Sequence, residues 1–216
     1  PDQQLGQDLQ NIGNSLGTFA GQIAAKRDRV NLRAAEAEWY SFEREVSDPQ
    51  SGLYTQRGIN ASGTTDRITT MTDAKRAEIT ERYAGRFATG SGAEALEQLM
   101  AGRSRSIWNT GASFEMGQLD QAEQAQYAAS VETAADRAST FWNDDAQYEN
   151  AISQASGAAL GQSEGQGTEA EAANLQAQTS SVVLARANKL VQNAPNMVEQ
   201  FMQREVDAGR MDQTAA

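Results

Sequence analysis

Residues 5–23 read LGQDLQNIGNSLGTFAGQI, and the large apolar residues in this stretch, Leu5, Leu9, Ile12, Leu16, Phe19 and Ile23, recur at steps of 4, 3, 4, 3 and 4. A mean step of 3.5 places all six on one narrow stripe of a helix, the seam geometry of a coiled coil, whereas a strand would alternate every second residue. These six positions are therefore candidate oligomer contacts. Gly13, Gly17 and Gly21 recur every four residues in the same stretch. Small residues at that spacing let a second helix approach closely, in a tight bundle or in lipid. Both readings stand, a close-packing helix and a membrane-active one, with Asp8, Asn11, Asn14, Gln22 and Lys26 weighing against a lipid span.

Further along, a second apolar series, Leu32, Ala35, Trp39, Phe42 and Val46, is out of phase with the first. The phase change predicts a bend or stutter around Lys26 to Val30. Trp39 and Phe42 join the candidate oligomer contacts. The helix is expected to stop at Ser47-Asp48-Pro49, because the residue before a proline avoids the α region.

Proline occurs only at positions 1, 49 and 195, and no stretch alternates as a strand would. The expectation is an all-α fold of elongated helices, forming an oligomeric bundle or tube. Four segments follow: 1–48, coiled-coil-like; 49–160, an elbow and long helices; 161–168, a glycine-rich linker; and 169–216, a helical hairpin with a tail. Ile68, Met71, Ile79, Tyr83 and Phe87 suit a helix from about Thr65 to Ala88 that ends at Thr89-Gly90. Ser91 with Glu94, and Thr168 with Glu171, read as capping boxes. From Ser91 to about Ala159 nothing forbids one continuous helix, with Gly102, Gly111 and Gly117 as places to kink. Pro195 suits the first turn of a last helix, closed by Gly209.

The net charge is −11, 37 residues are alanine, and Leu, Ile, Val and Phe together make up only about 15% of the chain. That composition lies near the disordered range. A chain of this kind becomes ordered by burying surface against copies of itself or other proteins. The acidic balance also disfavours a grip on phosphate backbones and suits a wall past which DNA slides. Pro1 in place of Met fits either removal of the initiator or a piece of a longer protein.

Chemistry has few places to sit. Cysteine and histidine are absent, which removes thiolate nucleophiles, imidazole bases and the usual ligands of zinc, copper and haem. Among the carboxylates, only Glu115, between Phe114 and Met116, has an apolar neighbourhood of the kind that raises a catalytic acid, but its neighbours in sequence point to other helix faces. Asp144-Asp145 reads as a solvated helix face, and Ser180-Ser181 lacks a base. No catalytic residue, metal site or cofactor is expected. No run of apolar residues is long enough for a membrane span.

The stretch 48–67, DPQSGLYTQRGINASGTTDR, is too specific for a spacer. Gly58 and Gly63 give freedom for a turn, while Tyr54 and Arg57, three apart, present one face. Tyr54, Arg57 and Gly58 are read as an elbow that docks one long helix against a neighbour, or as a capped loop within one subunit. The spacing of Tyr54, Gly58 and Ala61 before long Ala/Glu/Arg-rich helices resembles internal virion and DNA-ejection proteins of short-tailed bacteriophages. The ending TSSVVLARANKLVQNAPNMVEQFMQREVDAGRMD (179–212) is similar to the ending of the same proteins. The resemblance spans about Leu53 to Asp212 and carries no catalytic residues. It implies a virion-interior structural protein, a homo-oligomer meeting portal, tail or other internal proteins. It also implies genome DNA passing without tight binding, and contact with the host envelope after ejection. The alternatives are a helical filament or secretion-apparatus protein and, further off, a cell-wall-cleaving enzyme.

Overall fold

The computed structural model describes the backbone of residues 2–211 and the side chains of residues 17–211. The side chains of Leu5, Leu9, Ile12, Gly13 and Leu16 therefore lie outside the described residues. Six α-helices follow in order: α1 Asp2–Val46, α2 Thr64–Tyr83, α3 Gly90–Thr140, α4 Asp145–Gln162, α5 Thr168–Asn193 and α6 Val198–Asp207. Short 3-10 turns occupy Leu53–Thr55, Gly58–Ala61 and Pro195–Met197, and no strand is present among the described residues. The all-α expectation holds.

The chain divides into two compact units, residues 1–119 and 120–216. The division thus falls inside the expected segment 49–160. The stretch 161–168 does not separate domains, because it forms the tight turn of an α4–α5 hairpin with Gly165 and Gly167 at positive φ. Helices α4 and α5 pack extensively on each other across that turn.

In the first unit, Trp39, Phe42 and Val46 of α1 pack with Ile68, Ile79 and Tyr83 of α2 and with Leu96, Met100 and Ile107 of α3. Gly111 is not a kink point: α3 runs through it, and its missing side chain leaves the seat taken by Ile68 Cδ1. In the second unit, Tyr148, Ile152, Val182, Val183, Leu190 and Phe201 are joined by Ala134, Ala138, Ala151 and Ala155. Buried alanines bring helix backbones close at little apolar area per residue, which explains how so few large side chains suffice.

Local chemistry sets the breaks. Asp48 accepts the amides of Gln50 (2.9 Å) and Ser51 (2.8 Å), an Asx-type turn that ends α1. A side chain on Gly52 would collide with backbone atoms of Val46 and Asp48 at 2.5–2.6 Å. The capping boxes are corrected. Helix α3 starts at Gly90, one residue before Ser91, and the hydroxyl of Thr89 just ahead of it accepts the Gly92 amide. Thr168 is the first residue of α5, and Gly167 before it makes no side-chain cap. The single long helix from Ser91 to Ala159 is also corrected: residues 141–144 form a turn, and Asp144 caps α4 by accepting the amides of Ala146 (2.9 Å) and Gln147 (3.1 Å). Gly209 ends α6 at φ 68°, with Arg210 N–H reaching Glu205 O at 3.0 Å, a Schellman closure.

Candidate interaction surface

The expected bend near Lys26 to Val30 does not form; α1 is one uninterrupted helix. At about 100° per residue, the two apolar series occupy opposite faces of it. Asp28, Ala35, Trp39, Phe42 and Val46 lie inward and are buried. Phe19, Ile23 and Val30 lie outward, 67%, 61% and 61% exposed. The phase change therefore marks two differently exposed faces of one uninterrupted helix. Trp39 at 0% and Phe42 at 7% exposure are spent inside the chain's own core, which withdraws them as oligomer contacts. Phe19 and Ile23 remain available, and Val30 belongs with them. Gly17 and Gly21 face open space. Among the described residues no helix is long and apolar enough to cross a membrane.

The inward face is aimed by polar bonds. Asp28 accepts the amides of Ala88 (2.7 Å) and Thr89 (3.2 Å) and the Thr89 hydroxyl. These bonds, the hydroxyl's first, hold its carboxyl below the usual range and place a negative charge at the start of α3. Glu38 accepts the Tyr83 hydroxyl (2.9 Å) and Arg82 (2.6 Å). Arg103 bonds Glu36 at 2.9 Å and stacks 4.4 Å from the Tyr40 ring centre.

The elbow residues come together on α3 of the same chain. The Tyr54 ring meets Phe114 edge-on at 5.1 Å, and the Arg57 guanidinium lies 5.9 Å from the same ring. Arg57 also donates to Tyr54 O at 2.6 Å, and the Gly58 amide donates to Gln118 Oε1 at 3.0 Å. Of the two readings, the structure therefore has the loop within one subunit. Glu115 completes the arrangement: its two oxygens accept the amides of Gly63 (2.6 Å) and Thr65 (2.8 Å) at the start of α2. Bonds from Thr65 and Gly63 lower its carboxyl, the opposite of what a neutral catalytic acid needs.

In the second unit a pocket of about 540 Å³ is lined by Trp142, Asp145, Arg186, Met197, Phe201 and Arg204 among others. Arg186, 5% exposed, donates to Trp142 O (2.8 Å) and Asp145 Oδ1 (2.6 Å), so Asp145 is an ion-pair partner and not merely a solvated face. Its Nη1 is buried without an acceptor. The guanidinium carbon sits 4.4 and 5.1 Å from the Tyr148 and Phe201 ring centres, whose faces meet the charge. Glu205, fully buried, is held by Arg204 and Arg210, and Arg210 forks onto Glu149 at 2.9 Å twice. The Ser180 hydroxyl donates to Arg210 O at 3.0 Å, tying the end of α6 to α5. An Arg inside the apolar run VVLARANKLV (182–191) was the legible sign of this cluster.

Comparison of the chain with models of protein families, with characterised proteins and with solved structures gives no match.

Proposed function

We propose that the chain is a structural subunit that assembles with copies of itself through the outward face of α1. The assembly, a helical bundle or tube, is an internal, ejection-type component of a bacteriophage virion through which genome DNA passes. One observation carries the assembly reading: the outward stripe of Phe19, Ile23 and Val30 is exposed on a helix whose opposite face already packs on its own chain. Large apolar residues repeated at coiled-coil spacing and left in water favour association. The virion reading rests on the elbow and the C-terminal hairpin described from the sequence, and the net charge of −11 suits a non-adhesive wall. Portal, tail or other internal proteins are the proposed neighbours. A catalytic role gains no support from Glu115, Asp145 or Ser180, each committed to a structural bond.

Mass spectrometry of purified particles tests the virion reading. The protein is expected in intact virions and lost, together with DNA, after triggered ejection. Absence from virions defeats the reading, and retention in emptied particles makes the protein a fixed head or tail part.

A further inference from the structure

The outward stripe does not end at Ile23. Continuing at steps of 3, 4 and 3 it passes Lys26, Val30 and Arg33, all exposed. Charge is divided sharply along it. Before Lys26 the only charged residues are Asp2 and Asp8, whereas residues 26–33 carry Lys26, Arg27, Arg29 and Arg33 against Asp28 alone. Asp28 is turned inward and bonded to Ala88 and Thr89. Along α1, net charge therefore runs from acidic before Lys26 to basic over residues 26–33, inside a chain that is strongly acidic elsewhere.

We infer that the occupant of this face is the same face of α1 from a second copy, running antiparallel. The inference rests on the assembly reading above and adds the direction of pairing. Reversing the helix about its Gly17–Thr18 midpoint lays the stripe onto itself, with Leu16 opposite Phe19, Ile12 opposite Ile23, Leu9 opposite Lys26 and Leu5 opposite Val30. The same register sets Asp2 against the second copy's Arg33 and brings Asp8 beside its Arg29. A parallel, in-register pair does the reverse: it stacks Lys26 on Lys26 and Arg33 on Arg33, like charges at seam positions that disfavour that arrangement.

The absence of cysteine makes the test clean. Ile12→Cys and Ile23→Cys chains are oxidised separately and as a mixture, with sedimentation of each run in parallel. A disulfide-linked dimer is expected from the mixture and not from either variant alone. Self-linking of Ile23→Cys by itself would show a parallel pair and overturn the inference while leaving assembly intact. A monomer at every concentration overturns the assembly reading as well. So does a chain that binds anionic vesicles or duplex DNA through this face without associating with itself. Charge swaps give an independent check that does not touch the apolar stripe. R29E/R33E and D2K/D8K chains should each self-associate about tenfold more weakly, from several exposed pairs lost at once. Their equimolar mixture should recover the parent affinity, and mixing without recovery overturns the register.

Discussion

Glu115 shows how a residue that reads as a catalytic candidate serves as a clamp. Its oxygens satisfy two of the amide donors that the start of α2 leaves unpaired. The sign of its pH effect follows. The folded pKa lies below the unfolded value, which is near 4.3 for a glutamate. The clamp therefore contributes stability above about pH 4 that is lost as pH falls through the folded value. Glu115→Gln should lower the urea midpoint at neutral pH, and the gap from the parent should close as pH drops below about 4. A gap that stays constant with pH would rule the clamp out. Gly111 gives a second residue-scale prediction. Gly111→Ala pushes a methyl into Ile68 Cδ1, and overpacking of this kind costs about 1–3 kcal/mol. Adding Ile68→Val removes the colliding methyl and should recover part of the loss. If the double variant is weaker than both singles, Gly111 has another role.

At the scale of elements, legibility followed the punctuation. The breaks at Asp48-Pro49, Gly161 to Gly167 and Ala194-Pro195 were readable because Pro and Gly carry their own backbone restrictions, whereas α2 ends at Tyr83, ahead of the expected stop at Thr89-Gly90, and Gly90 opens α3. The turn at 141–144 has neither residue. Helix ends there because Asp144 offers a cap and Trp142 and Tyr148 are drawn into the second unit's apolar cluster, and the second of these depends on tertiary partners. The two faces of α1 were legible as periodicity, but not which face looked inward, since that depends on residues of α2 and α3 far away in sequence. The assignment makes an opposed pair of predictions. Trp39→Ala, on the buried face, should lower stability by about 3–5 kcal/mol. Phe19→Ser, on the outward face, should leave the melt of the dilute protein nearly unchanged and weaken association measured by sedimentation. Equal effects of the two on the dilute melt would show that the faces are assigned wrongly.

On the scale of the whole molecule, the composition and the structure bear on one question: where order comes from in a chain with so few large apolar residues. Alanine answers part of it, through high helix propensity and the close approach of buried alanines in the second unit. It does not answer for residues 17–27, nearly all exposed and containing Gly17 and Gly21, since each glycine costs roughly 1 kcal/mol of helix propensity relative to alanine. Such a segment is marginal as an isolated helix, so its order should depend on the second copy, and hence on concentration. Amide exchange read by mass spectrometry should show residues 17–27 unprotected in dilute protein and protected as concentration rises. Amides around Trp39 and Arg186, whose partners lie in the same chain, should keep one level of protection throughout. If residues 17–27 were protected equally at every dilution, the helix would stand without a partner, and the composition argument for assembly would fail with it. If they remained unprotected at high concentration, the outward stripe would not be the contact.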